Sequence, residues 1–277
     1  MGQDTGRINW YSGLVSAQGQ GFMPQQGLDR EQAQNVALRQ ALIQARQNLW
    51  RTLQGMRIHQ DLTLQDLLQD NKHLKSRVQG LVHNARILDK IKIRDKVLLV
   101  SIGVDLWGDF ARLAIPDAAW FSESSIQANN LDDDLPFLQK QLLEARAQAY
   151  TGLVLQADGL EVEPGLVCTV QDEEGNQVFG PDQVDPEKAL QLGMAIFVQS
   201  AGPRLDLGSR LGPNPLRVRV LDTGSQPGCN LVVDSSSGEL LRQIALQPDN
   251  FLQECRVLIE LDPPPDADLQ EYRLLDR

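Results

Sequence analysis

The sequence lacks the common motifs of enzyme and metal-site chemistry. Its 277 residues contain no HExxH, CxxC or GxSxG pattern, which argues against a zinc site and an α/β-hydrolase. His59, His73 and His83 fall in separate predicted elements, so their order suggests no nucleophile and base pair. We therefore predict a non-enzymatic protein with no catalytic residues, no cofactor-binding residues, no metal ligands and no cofactor.

Positive charge and long apolar runs are also scarce. The chain has 26 Lys and Arg against 37 Asp and Glu, a net charge of −11, which opposes a nucleic acid or an anionic membrane surface as partner. No apolar run reaches eighteen residues, so no transmembrane span is predicted. The start, MGQDTGRINW, has no export-signal pattern. Met1 and Gly2 are either a native cytoplasmic start or a remnant that follows a removed signal.

Cysteines are few and odd in number: Cys168, Cys229 and Cys255. Cys229 precedes the strand-like segment NLVV, and Cys255 precedes the strand-like segment RVLIEL. A Cys229–Cys255 disulfide bond would form if those strands were neighbours. The sequence favours the alternative of three buried free thiols.

Two partial motif matches have structural interpretations. Gly19 and Gly21 form a GxG before a helix, but Pro24 occupies the third glycine position and the helix begins too late to face a pyrophosphate, so we predict the end of a strand. The acidic triplet 132–134 lacks the alternating ligand spacing of a calcium loop, and we place it at a helix N-terminus.

Length and composition predict two folded domains. The hydrophobic share of 42% and the charged share of 23% are ordinary for a soluble protein, and 277 residues exceed the usual size of one domain. The patterns divide the chain into a first α+β domain at 8–110, a linker at 111–135, a second α+β domain at 136–262 and an exposed tail at 263–277. Each domain is predicted to be a mainly antiparallel sheet with helices packed on one face.

The best-specified element is a helix at 29–55. Asp29 and Gln32 have the spacing of a capping box, and Gly55 is expected to end the helix in the left-handed conformation. A ridge of residues recurs every four positions: Ala33, Ala37, Ala41, Ala45, Leu49 and Leu53. The four alanine side chains of this ridge are small enough to let the helix lie close to a sheet. The rest of this domain is predicted as strands at 8–18, 78–91 and 97–106 and a short helix at 64–71.

The second half predicts a further set of strands and helices. Helices are predicted at 136–150, at 186–200 and over SSGELLRQIAL, and a hairpin is predicted around the polar turn 172–176. Strands are predicted over TGLVLQADGL, LRVRVLDT, CNLVVD and ECRVLIELD. A loop at 202–215 is rich in glycine and proline.

The first half also carries a distinctive order of small residues. It has W-Y-S-G-x-V-x-A-x-G-x-G from Trp10, then the alanine-rich helix, LQGMRI, LTLQDLL, VQGLVHNARIL and a last strand ending in VDLWG. Over 10–108 this resembles the bacterial family of twenty-kilodalton outer-membrane lipoproteins, which includes flagellar FlgP and the related N-terminal part of FlgT. We identify no such resemblance for the second half from its residues.

The resemblance implies an exported protein of the periplasm or outer membrane. Its expected role is structural, through binding to other envelope proteins or to itself, in a flagellum-related assembly. It favours a removed export signal, and the missing lipidated cysteine implies either a trimmed lipid anchor or a free periplasmic protein. It brings no functional residues to this chain. The alternative is a small-molecule-binding module of the envelope, with the loop 202–215 as its lid.

Overall fold

The computed structural model describes residues 6–24, 29–60, 62–89, 92–94, 96–115, 149–199, 208–224 and 228–262. Internal contacts divide the chain into two units. The first comprises Met1–Met56 and Leu62–Ala114, and the second comprises Arg57–Asp61 and Ile115–Arg277. Helices and strands occur in both, so the chain has the predicted α+β class.

The strands of the described residues are β1 (Gly6–Asn9), β2 (Leu14–Phe22), β3 (Arg57–His59), β4 (Leu62–Thr63), β5 (Arg86–Ile87), β6 (Lys92–Arg94), β7 (Val97–Asp105), β8 (Gly152–Gln156), β9 (Thr169–Asp172), β10 (Gln177–Phe179), β11 (Ile196–Gln199), β12 (Pro215–Asp222), β13 (Asn230–Val233) and β14 (Val257–Leu261). The α-helices there are α1 (Arg30–Gln54), α2 (Leu64–Asp70), α3 (Lys72–His83), α4 (Asp109–Ala114), α5 (Pro186–Leu192), α6 (Gly208–Leu211) and α7 (Ser235–Ala245). None of these helices is both long and apolar enough to cross a membrane.

The first unit is built on one antiparallel sheet. Its order is β1-β2-β7-β5, and β6 also pairs with β7. β2 and β7 run side by side from Leu14 opposite Asp105 to Phe22 opposite Val97. The apolar segment 97–105 is therefore a central strand, as its composition predicts.

Helix α1 packs directly on β2. The predicted capping box is confirmed, because the Asp29 side chain accepts from Gln32 N and the Gln32 side chain accepts from Asp29 N. All six ridge residues are buried. A Cβ atom on Gly19 would stand 2.0 Å from the Ala41 carbonyl oxygen, and one on Gly21 would stand 1.8 Å from that of Ala37. These two glycines lie in the last four residues of β2, near the predicted strand end, and they let the strand and helix backbones approach closely.

Three local predictions for the first unit are wrong. The predicted strand 8–18 is a hairpin of β1 and β2, because the Asn9 side chain accepts from the backbone of the turn and Gly13 adopts a φ of 65°. The predicted strand 78–91 begins as α3, in which Leu74, Val78 and Val82 form a buried face and Asn71 caps the N-terminus. Gly55 ends α1 with a φ of −76°, in the right-handed region. The short helix predicted at 64–71 is confirmed as α2.

The second unit is built on a mixed sheet of order β10-β9-β13-β12-β8-β14-β11. Four pairings in it are parallel: β11 with β14, β14 with β8, β8 with β12, and β13 with β9. Only β12 with β13 and β9 with β10 are antiparallel. The expectation of a mainly antiparallel sheet therefore holds for the first unit and not for this one. Parallel strands are covered on both faces, which accounts for the unbroken burial of 152–155.

Most of the strands and helices predicted for the second half are confirmed. They include β8, β12, β13, β14, α7 and the β9–β10 hairpin. The helix predicted at 186–200 starts as expected, with Asp185 as N-cap and Pro186 in its first turn, but it ends at Leu192. Gly193 stops it with a φ of 77°, and the following apolar residues form β11. The predicted helix 136–150, except for its last two residues, the acidic triplet 132–134, most of the linker 111–135 and the tail 263–277 lie outside the described residues.

A short segment from early in the chain completes the second unit. Leu166 N donates to Arg57 O at 3.3 Å, and Val167 N donates to Ile58 O at 2.8 Å. The Arg57 guanidinium also forms an ion pair with Glu163. The unit is thus made from two separated stretches of sequence, Arg57–Asp61 and Ile115–Arg277.

Candidate functional site

A cleft of about 470 Å³ lies in the second unit, at the amino ends of β8 and β14. One wall is formed by Tyr150 and Thr151, which directly precede β8. The other wall is the turn at 247–251 that follows α7, together with Glu254 and Arg256 before β14. The size is within the range of small-molecule sites in proteins.

The wall before β8 is fixed by hydrogen bonds. Thr151 N donates to Asn214 O at 3.0 Å, and Asn214 N donates to the Thr151 hydroxyl at 2.9 Å. That hydroxyl donates in turn to Leu211 O at 2.8 Å, and Asn214 Nδ2 donates to Ala149 O at 2.9 Å. Tyr150 is thus held between two anchored residues. The last residues of the predicted lid loop, 202–215, lie against this wall, while 201–207 are outside the described residues.

The turn after α7 is equally well fixed. Asn250 Nδ2 donates to Ala245 O and Gln247 O, and its Oδ1 accepts from Leu252 N and Gln253 N. Asp249 and Cys255 both adopt a φ of 54°, in the left-handed region that non-glycine residues seldom occupy. Such a conformation persists only where the surroundings enforce it. The cleft therefore has a preorganised wall.

The charges of the cleft differ in how they are neutralised. Glu254 forms an ion pair with Lys188, and its hydrogen bond raises the pKa of that lysine. The Arg256 guanidinium and the Asp249 carboxylate form no ion pair or side-chain hydrogen bond with the described part of the chain. One cation and one anion of the lining remain available to a ligand.

A second polar cluster surrounds the Asp172 carboxylate, whose side chain has 0% exposure. It accepts from Glu174 N at 3.0 Å, from Asn176 N at 2.9 Å and from the Arg242 guanidinium. Burial alone would raise the pKa of Asp172, but the bonds from Arg242 and Asn176 outweigh it and lower that pKa. This cluster fixes the predicted turn 172–176, and its carboxylate is closed to solvent.

Cys168 and Cys229 form a disulfide bond, with 4.8 Å between their Cα atoms. They directly precede β9 and β13, which pair in parallel with Thr169 opposite Asn230. Both sequence alternatives, a Cys229–Cys255 bond and three free thiols, are therefore wrong. The order of the strands in the sheet decides which cysteines form the disulfide bond. No local pattern around the cysteines reveals that order. Cys255 is a buried free thiol, and burial raises its pKa to about 12.

The other residues weighed as site candidates are dispersed. His59 lies in β3, whereas His73 and His83 share α3, which corrects the expectation of three separate elements. Ten residues of helix separate those two by about 15 Å. In the described ranges, no group of three or more His, Cys, Asp or Glu side chains has an arrangement that could hold a metal ion. Ser236 and Ser237 lie in the first turn of α7, where Asp234 is the N-cap.

Comparison with known proteins gives one family similarity. Residues 152–263 match the family model described as Treponema pallidum Tp0624, second domain. The match begins at β8 and ends just after β14, and it covers less than half of the chain. No curated protein matches the chain. The matched stretch contains the strands of the mixed sheet and most of the cleft lining, but it does not include Tyr150 and Thr151.

Proposed function

We propose that this chain is an exported, non-enzymatic protein of the bacterial cell envelope, in the periplasm or at the outer membrane, with a structural or protein-binding role in a flagellum-related assembly. The observation that supports export is the Cys168–Cys229 disulfide bond, whose two residues are each 1% exposed. Disulfide bonds form and persist in oxidising compartments, of which the bacterial periplasm is one. The resemblance of 10–108 to outer-membrane lipoproteins supports the envelope and the assembly.

Fractionation and thiol counting test the export together. Cells that express the full gene product are separated into cytoplasm, periplasm and membranes, and the denatured protein is alkylated before and after reduction. We expect it in the periplasm or the membranes, with one reactive thiol before reduction and three after. The Cys255→Ala variant is the control, with none before and two after. A cytoplasmic protein with three thiols before reduction contradicts the proposal.

The assembly role has its own test. Cells that lack the gene should swim more slowly than the parent strain, and the wild-type gene should restore their speed. If the protein is exported but loss of the gene leaves motility unchanged, the proposed envelope location stands. The flagellum-related role is then excluded.

A small-molecule-binding module is the second candidate function. The observation that favours it is the cleft, whose two walls are preorganised and whose lining includes one cation and one anion without intramolecular partners in the described chain. A thermal-shift screen with a set of metabolites tests it, because any ligand that binds only the folded state raises the midpoint. Stabilisation by none of them contradicts this second function.

A further inference from the structure

We infer that the cleft of the second unit binds a small zwitterion, an amino acid or a molecule of that chemistry, with its carboxylate on Arg256 and its ammonium group on Asp249. This inference rests on the second candidate function, since it names the class of ligand for the same site. It is independent of the compartment and of the flagellum-related role.

Arg256 has the geometry of a ligand anchor. Its backbone is held on both sides, because its N–H donates to Phe251 O at 3.0 Å and its carbonyl oxygen accepts from Leu153 N at 2.9 Å. The residue is half-buried and belongs to the lining of the cleft. A guanidinium presents donors in a planar fork that matches a carboxylate with two parallel bonds. A partly buried cation without a counter-ion is also costly, which favours an anionic ligand there.

The carboxylates of the lining limit the charge of that ligand. Asp249 and Glu254 both face the cleft, and only Glu254 is neutralised by a lysine. A phosphate ester or another dianion would be repelled by Asp249, whereas an ammonium group would be attracted. Glu254 is already paired with Lys188, so Asp249 is the better acceptor for an ammonium group.

The remaining lining suits a side chain of moderate size. Ile244 and Phe251 are buried and form an apolar part of the lining, and Tyr150 belongs to the opposite wall. Polar groups that fix orientation, with apolar surface between them, are typical of small-molecule sites. An amino acid with an apolar or aromatic side chain meets both requirements.

A matched set of ligands tests the inference on the full chain. Saturation-transfer NMR is recorded with apolar and aromatic amino acids, with their primary amides, which lack the carboxylate, and with their N-acetyl derivatives, which lack the ammonium group. We expect the amino acids to bind at millimolar concentration. Both derivatives should bind about tenfold more weakly, because each loses one charge-assisted contact.

Two arginine variants identify the anchor. Arg256→Gln should weaken amino-acid binding about tenfold or more. Arg219→Gln is the matched control, since Arg219 is an exposed arginine opposite Gln156, at the other end of β8, and this change should leave binding unaltered. Thermal unfolding of Arg256→Gln confirms that the variant is folded. Equal binding of acids and amides, or unchanged binding by Arg256→Gln, would overturn the inference.

Failure of the ligand class can be told from failure of the site. If no amino acid binds but another metabolite stabilises the protein and contacts the cleft residues, the assignment of a zwitterionic ligand is wrong. The proposal of a small-molecule-binding module then stands. If neither the amino acids nor the metabolites bind, both are wrong.

Discussion

The Arg242 guanidinium donates to the Asp172 carboxylate and so ties helix α7 to the β9–β10 hairpin. Helix and strand are already close at this point, because a Cβ atom on Gly238 of α7 would stand 2.8 Å from the Asp172 Cβ. Arg242 also bonds to Glu239 on its own helix, which fixes the direction of the guanidinium. The contact therefore joins two residues that are 70 positions apart in the sequence.

Asp172→Asn should lower the free energy of unfolding by about 3 kcal/mol, because a buried charge-assisted acceptor is lost and its donors keep weaker partners. Urea unfolding measures the change. Asp158→Asn, at an exposed position, is the matched control and should stay within about 0.5 kcal/mol of wild type. Equal effects of the two substitutions would show that the Asp172 cluster does not stabilise the unit.

Acid should destabilise the protein between about pH 4 and pH 2. Hydrogen bonds from the Ser236 and Ser237 hydroxyl groups lower the pKa of Asp234 from 3.8 to about 2. A carboxylate with a lowered folded-state pKa contributes its full stability above its unfolded pKa and loses it as the pH falls through the folded value. Asp234→Asn keeps an N-cap but removes the charge, so it should be less stable than wild type at pH 7 and equal to it near pH 2. Parallel stability curves for the two proteins would contradict this assignment.

Gly21→Ala should destabilise the first unit by about 3 kcal/mol, since the added Cβ overlaps the Ala37 carbonyl and the helix must move from the strand. Gly80→Ala is the control in α3, where nothing lies within 4 Å of the added atom. It should raise stability by up to about 1 kcal/mol through helix propensity. Thermal unfolding of both variants measures the difference. Similar midpoints would refute the close approach of α1 to β2.

Removal of the Cys168–Cys229 bond should lower the free energy of unfolding by about 4 kcal/mol, given the 61-residue separation. The double variant Cys168→Ala, Cys229→Ala and reduced wild-type protein should unfold at similar denaturant concentrations. Reductant should leave the double variant unchanged, because its remaining thiol, Cys255, has no partner to exchange with. Fully reduced wild-type protein that is as stable as oxidised protein would falsify the stabilising role.

Helix α1 was predictable because its signals are local. The Asp29–Gln32 box and the four-residue ridge lie within the helix itself, and both are confirmed. Helix α3 was missed although Leu74, Val78 and Val82 have the same four-residue spacing. The β-branched residues at 78 and 82 fit a strand equally well. The Asn71 cap that decides between helix and strand lies before the predicted strand 78–91.

The sheet order and the cleft depend on long-range pairing. The apolar run of β8 indicates a buried strand, but a short apolar run does not identify the strands beside it. The sequence therefore gives neither the neighbours of β8 nor the β9–β13 pairing that brings Cys168 and Cys229 together. Tyr150 and Arg256 lie 106 positions apart and meet only because β8 pairs with β14. The residues before these strands carried no motif, and their joint lining of a cleft follows from the fold alone.

The segment Arg57–Asp61 gives the second unit two backbone acceptors, the carbonyl oxygens of Arg57 and Ile58, from an earlier part of the sequence. The stretch that matches the Treponema domain, 152–263, does not include it. A polypeptide that begins after position 115 would leave the N–H groups of Leu166 and Val167 without their acceptors and would open an unpaired backbone edge to self-association. A synthetic peptide of 57–61 supplied in trans is the natural complement to such a fragment. One gene therefore encodes two units that cannot be separated by a single cut.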